Sequence, residues 1–301
     1  MTQTLLAGVY ATIHSAVVDQ KQPTDIRPSP IAGTWYPGDA ERLAISIDNF
    51  LNEVEPRDID GEIVGLVVPH AGHRYSGVVA AHAFRQIKGL QPELVAVVSP
   101  LHVVADEPVM TSDHEAYATP LGIIPIDQDL VTELAATLNR EHELKLGYMR
   151  NDREHSLEIE LPFIQRCIDT PFKLLPIMLR EQSSRVGRAI GSSMATLLQG
   201  RQCILIASSD LSHFYPQNVA KRLDQTIMDR LENFDPEGVI RAEEEGLGFA
   251  CGRGAIAAVL WAAQAFGADR VEVLKHATSG DVTGDFDSVV GYASAMIIRQ
   301  N

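Results

Sequence analysis

Three short apolar runs constrain this chain more than any other feature, because each ends in a turn that carries a histidine. Ile63-Val64-Gly65-Leu66-Val67-Val68 leads into Pro69-His70, and Leu94-Val95-Ala96-Val97-Val98 into Ser99-Pro100-Leu101-His102. Cys203 to Ala207 leads into Ser208-Ser209-Asp210-Leu211-Ser212-His213. Apolar runs without polar alternation read as strands buried on both faces, and such strands need helices on both sides. The stretches between them supply helical patterns at residues 77–87, 129–138, 156–168, 185–198, 219–231, 236–245 and 254–266, with Pro162 expected to start or kink its helix. Residues 173–179, interrupted at Pro176, and residues 271–275 and 289–298 read as further strands. The expected fold is α/β: one domain with a mostly buried central sheet flanked by helices.

The 301 residues would fit two domains of about 150 residues each. No internal repeat or low-complexity linker divides them, so one domain is expected over residues 29–301. Residues 1–28 read as an N-terminal arm, broken by Lys21-Gln22-Pro23 and by Arg27-Pro28-Ser29-Pro30. It is expected either to dock on the surface or to join an oligomer contact. With 25 basic and 40 acidic residues the net charge is −15. That balance disfavours nucleic acid and anionic membrane surfaces, and steers cations instead. The three cysteines, Cys167, Cys203 and Cys251, are far apart and form no CxxC pair. A reducing compartment, the cytoplasm, is the expected location. No apolar run is long enough to span a membrane, and Met1 to Gln20 lacks the basic start of a secretory signal.

In open α/β sheets ligands bind beyond the carboxyl ends of the strands. Any one of His70, His102 and His213 reads as a loop histidine bonded to backbone. Three in matched positions read as a site, since imidazole serves both as metal ligand and as acid or base near neutral pH. Cys251 precedes an apolar helix, where the dipole and Arg253 are expected to lower its pKa and make it a thiolate ligand or nucleophile. His73 follows His70 and Gly72 at a helix start. Glu154, His155 and Glu158 form a cluster dense in ligand-type residues, which reads equally as a capped, solvated face. Asp281 sits in the turn Thr278-Ser279-Gly280-Asp281, which reads as a loop or a cavity wall. There is no Walker motif, no GxGxxG after the first strand and no GxSxG.

Taken in order, Ala-Gly-Thr-Trp-Tyr-Pro at 32–37, Pro-His-Ala-Gly at 69–72, Ser-Pro-Leu-His at 99–102, Glu-His-Ser-Leu-Glu at 154–158, Ser-Ser-Asp-Leu-Ser-His at 208–213, Cys-Gly-Arg at 251–253 and Thr-Ser-Gly-Asp at 278–281 resemble the blocks of the Memo family. In bacteria and archaea its members are known as AmmeMemoRadiSam system protein B. The resemblance runs from about Ser29 to the C-terminus. It implies a fold like that of the class III extradiol dioxygenases, which are non-haem iron enzymes. It also implies a metal pocket on His70, His102 and Cys251, with His213 and Asp210 beside it for proton transfer. His73 stands where the family commonly has an aromatic residue, and Val103 where animal members carry a second histidine.

The function expected from the resemblance is metal binding, Fe(II) first and Cu(I) or Zn(II) as competitors, with redox or oxygen-linked chemistry on a small substrate. Extradiol ring cleavage itself is not expected, because Cys251 replaces the carboxylate ligand. Glu154, His155, Glu158, His73, Arg253 and Asp281 are expected around the pocket. One alternative is a non-catalytic peptide- or protein-binding module using the same cleft. Another is metal-free cysteine chemistry at Cys251 with His70 or His213 as base. The family name implies radical-SAM and AMMECR-type pathway partners.

Overall fold

The computed structural model describes residues 22–300. Residues 1–21 of the expected arm, and with them the stretch read for a secretory signal, lie outside the described residues. The strands in chain order are β1 (Ile26–Arg27), β2 (Glu62–Val68), β3 (Leu94–Pro100), β4 (Val109–Ser112), β5 (Ala116–Thr119), β6 (Gly122–Pro125), β7 (Leu146–Met149), β8 (Lys173–Leu179), β9 (Cys203–Ser208), β10 (His213–Tyr215), β11 (Arg270–Thr278) and β12 (Val289–Arg299). The helices are α1 (Ala40–Asn52), α2 (His73–Phe84), α3 (Gln128–His142), α4 (Leu161–Cys167), α5 (Ser184–Leu198), α6 (Gln217–Glu232), α7 (Pro236–Glu244), α8 (Arg253–Ala265) and the single turn α9 (Gly280–Thr283).

The large sheet runs β10-β12-β2-β9-β3-β8-β4-β7, with β11 paired along β12; β1, β5 and β6 make a small second sheet. At its centre β2, β9, β3 and β8 are parallel, so their carboxyl ends leave one edge together. Val68 pairs with Ser208 and Val98 with Ala207, which sets the turns carrying His70, Asp210 and His102 side by side. Every residue of β3 and all but the first of β2 are buried. Successive strand residues face opposite ways, so both faces of this sheet are covered. Helix α8 packs on β9, β3 and β2 and is backed by α5 and α7; α2 packs on β12, β11 and β2 and is backed by α1 and α4. The expected α/β architecture is therefore the one observed.

The differences from the sequence reading have local causes. Helix α2 starts at His73, four residues before the expected Gly77, because Gly72 caps it. Gly77 lies inside the helix where a Cβ would stand 2.7 Å from the Phe50 ring of α1. Helix α4 starts at Leu161, with Pro162 in the first turn, where a missing N–H costs nothing. Strand β8 is not interrupted at Pro176. The Pro176 carbonyl accepts from Thr111 Oγ1 at 2.7 Å, while the β4 ladder reaches only Met178 and Leu179. No ladder bond is therefore asked of the proline nitrogen on that side.

The described part of the expected arm is docked. Ile26–Arg27 pairs in parallel with Ala116–Tyr117. The Arg27 guanidinium is buried, donating to Asp152 Oδ2 at 2.9 Å and Oδ1 at 2.6 Å, to the Glu154 carbonyl at 2.9 Å and to Glu158. It also lies 4.8 Å from the Tyr117 ring centroid.

Candidate metal centre

The turns after β2, β3 and β9, and the turn before α8, meet at one edge of the sheet. The His70 N–H donates to Asp210 Oδ1 at 2.8 Å, and Ala71 N–H to the same oxygen at 3.2 Å. One carboxylate thus ties the β2 turn to the β9 turn. The His70 ring sets Nδ1 2.9 Å from Ser208 Oγ. That hydroxyl in turn lies 2.7 Å from the Ser156 carbonyl and 2.8 Å from Glu160 Oε1. With the hydroxyl proton given to an acceptor there, Ser208 takes the Nδ1 proton of His70. Nε2 is then left bare, 3.2 Å from Cys251 Sγ.

His102 is oriented the same way by a different group. Its Nδ1 lies 3.0 Å from Glu154 Oε1, and its backbone N–H donates to Glu154 Oε2. Glu154 also accepts from the N–H of His155 at 2.8 Å and of Ser156 at 2.9 Å. Burial pushes the Glu154 carboxyl up, but the His102 ring and these N–H donors outweigh it and hold it well below the usual carboxylate range. A carboxylate that accepts at Nδ1 leaves Nε2 of His102 free to act as a ligand atom.

Cys251 is brought in by Gly252. A Cβ at Gly252 would stand 2.4 Å from the Ser208 carbonyl, and Gly252 N–H donates to Ser209 Oγ at 2.9 Å. Only glycine lets this turn lie against the end of β9. Ligand atoms of His70, His102 and Cys251 all lie within 4.8 Å of one another. His102, Glu154 and His155 form a second such group, but the Glu154 oxygens are already engaged by four N–H donors. That group therefore reads as the support of His102.

The cluster adjoins a cavity of about 450 Å³ lined by Thr34, Trp35, His70, Ala71, Gly72, Tyr75, His102, His155, Asp210, His213, Val290 and Tyr292. His155 stacks on His102 with centroids 4.9 Å apart and meets the Trp35 ring at a tilt of 37° with centroids 4.1 Å apart. Burial pulls His155 down to about 4, and burial with the nearby His155 and His102 rings holds His70 well below its usual value. His213 is likewise lowered by burial. Its Nδ1 lies 2.7 Å from the Leu211 carbonyl, so Nδ1 carries the proton and Nε2 is the free acceptor. Burial pushes the Asp210 carboxyl up to about 7, against the two N–H donors.

Several sequence expectations are corrected here. The Cys251 thiol is not lowered; burial first, and the Asp210 carboxylate second, push it well above its usual value. Arg253 turns away to Glu243 at 2.8 Å and neither lines the cavity nor assists the thiol. His213 is oriented by the Leu211 carbonyl, whereas Asp210 holds the β2 turn. His73 lies outside the cavity lining: its Nε2 is 3.1 Å from the Ile159 carbonyl, its ring packs on Phe163 and Tyr36, and burial pulls it down to about 4. Glu158 is buried among Arg27, Ser29 and Tyr36. Asp281 caps its own turn, accepting from Thr278 N–H at 2.7 Å. Conversely, Trp35, Tyr75 and Tyr292 wall the cavity and Ser208 and Glu160 support His70, roles the sequence reading did not assign. Trp35 and Ser208 lay inside quoted motif blocks, which was the available signal.

Fold and cluster together define an α/β protein with a His/His/Cys pocket at the carboxyl edge of its sheet. The family model of Memo-like proteins matches residues 27–296, and the chain belongs to the Memo family. A MEMO1 family protein of Methanococcoides burtonii is 36% identical over 274 residues, covering 90% of this chain and 100% of the relative. One of Methanopyrus kandleri is 34% identical over 288 residues, covering 91% and 99%. One of Nitrosopumilus maritimus is 32% identical over 280 residues, covering 91% and 100%. Among solved structures, an uncharacterized protein from Escherichia coli K12 aligns over 78% of this chain with a TM-score of 0.44 and 13% identity. Among the described residues no helix is long and apolar enough to cross a membrane.

Proposed function

We propose that this protein binds a transition-metal ion through His70, His102 and Cys251 and performs redox or oxygen-linked chemistry on a small molecule in the adjoining cavity. The observation that carries the reading is the convergence of the three ligand atoms within 4.8 Å, with the Nδ1 of each histidine already engaged. Two donors about 2.0–2.3 Å from one ion at a tetrahedral angle lie roughly 3.3–3.8 Å apart. The 3.2 Å between His70 Nε2 and Cys251 Sγ is close to that. The donor set of two imidazoles and one thiolate suits iron, and brings Cu(I) and Zn(II) into competition. Iron is placed first on the resemblance to non-haem iron enzymes.

An ion held there supplies Lewis acidity and, if iron or copper, one-electron chemistry. The chain's own residues do the rest. Glu154 and Ser208 fix the two ring orientations. Nε2 of His213 accepts a proton from a bound substrate, and Asp210 offers a second acceptor. Trp35 and His155 form an aromatic wall. Catechol ring opening is not expected, since the third ligand is a thiolate.

The test is metal analysis by mass spectrometry after anaerobic, chelator-free purification of the wild type, His102→Ala and Cys251→Ala. Near-stoichiometric iron in the wild type, lost in both variants, is the expected result. No uptake of Fe(II), Cu(I) or Zn(II) by the wild type on titration overturns the proposal.

A further inference from the structure

We infer that the cavity selects a ring-bearing ligand that donates an N–H, an uncharged or cationic amine, and rejects carboxylates and phosphates. The inference deepens the proposed function and rests on its reading of this cavity as the reaction site.

Two independent features carry it. The first is the composition of the wall. Trp35, Tyr75 and Tyr292 present aromatic surface together with the His155 ring, and among the described residues no lysine or arginine lines the cavity. Arg27 is engaged with Asp152 and Glu158 and Arg253 with Glu243, while the Arg74 guanidinium, 5.7 Å from the Tyr75 ring centroid, stands outside the lining. Among the described residues an anionic ligand inside the cavity would meet no lysine or arginine in its lining, in a protein of net charge −15. That costs desolvation without compensation.

The second feature is Asp210. It is 5% exposed and lines the cavity. Both of its backbone donors, His70 and Ala71, bond to Oδ1. Oδ2 accepts no hydrogen bond among the described residues, and Asp210 is not part of the three-residue ligand cluster. The Asp210 side chain belongs to a residue more than nine-tenths buried, and its unpartnered oxygen at the cavity wall calls for a donor from the ligand. An amine supplies that donor, and its ring or cationic head is met by aromatic faces.

The chain provides its own reporter. Of its two tryptophans, Trp35 lines the cavity, while Trp261 lies on α8 beneath the Arg188 guanidinium at 4.4 Å. Trp35 emission in the full chain is titrated with benzylamine, benzyl alcohol, benzoate and phenyl phosphate. It is measured as purified and again after chelation, because a metal ion with an open position would itself attract anions. In the chelated protein benzylamine is expected to bind about tenfold tighter than benzoate or phenyl phosphate, with benzyl alcohol between.

Asp210→Asn keeps an oxygen for the two backbone donors and is expected to erase the preference of benzylamine over benzyl alcohol. Tyr75→Leu is expected to weaken all the ring compounds without changing their order. Anions binding the chelated protein as tightly as benzylamine, or no probe binding at all, overturns the inference. A chain that takes up no metal but keeps the amine preference retires the proposed metal chemistry and leaves the inference standing. Metal uptake without the preference does the reverse.

Discussion

Replacing Arg27 by methionine should both destabilise the fold and loosen the proposed metal site. The guanidinium is shared by Asp152 and Glu158, whose side chains are 1% and 0% exposed. Methionine fills much of the volume but leaves those carboxylates buried without a cation. Removing one partner of a buried pair costs about 3–5 kcal/mol, a large part of the roughly 5–15 kcal/mol that holds a domain folded. Arg27 also holds the Glu154 carbonyl at 2.9 Å, and the Glu154 side chain orients His102, so metal affinity should fall with stability. Urea unfolding at pH 7 measures the first effect and chelator competition the second. Adding Glu158→Gln to Arg27→Met should restore part of the loss, because it removes one of the stranded charges. A loss below about 1 kcal/mol in Arg27→Met, the level of an exposed pair, would refute the view that residues 26–27 are integral to the site.

Glu154→Gln keeps the size but puts an amide where His102 N–H and Nδ1 need an acceptor; metal affinity should fall about 10–100-fold, read by chelator competition, with the circular dichroism unchanged. His73 is pulled down to about 4 by burial, against about 6.5 in the unfolded chain. The unfolded state therefore binds the extra proton between those values, and this group's contribution to stability is lost as pH falls through that window. Urea unfolding should accordingly show the stability of His73→Phe gaining on the wild type by about 3 kcal/mol between pH 7 and pH 4; a pH-independent difference would contradict the shift. Because the Cys251 thiol is pushed up while His70 is already neutral, metal binding must expel a thiol proton. Apparent Zn(II) affinity should then rise about tenfold per pH unit from 7 to 9, and a flat profile by chelator competition would mean that the thiol is not a ligand.

What could be read from the sequence follows from how local its cause is. The runs at 62–68, 94–100 and 203–208 were legible because burial on both faces leaves no polar residue to confuse the pattern. Strands β4, β5, β6 and β7 have four residues each, too few for a period to show. Helix α1 went unread although Leu43, Ile47 and Leu51 repeat every four residues behind the Asp39 cap. His70, His102 and Cys251 were legible as strand-end and helix-start residues, since topology alone brings those places together. His73, Glu158, Arg253 and Asp281 were not, because residue type does not say which way a side chain turns. Glu158 belongs to Arg27, a partner 131 residues away, and no local pattern carries that information. The thiol was misread for a related reason: a helix dipole lowers a pKa only where burial and a neighbouring carboxylate do not exceed it.

The two carboxylates of the site carry opposite environments, and that difference assigns their work. Glu154 accepts N–H donors at both oxygens and stays ionised far below neutral pH, so it holds His102 in one orientation throughout the working range. Asp210 has fewer donors, and burial pushes it up to about 7. A group near 7 can take up or give back a proton at little cost, which a group held far below neutrality cannot. Environments that push paired carboxyl groups apart are how one site separates a fixed charge from a proton carrier. On this reading Glu154 is the positioning residue of the centre. Asp210, with His213 Nε2 beside it on the cavity wall, is where a substrate proton goes.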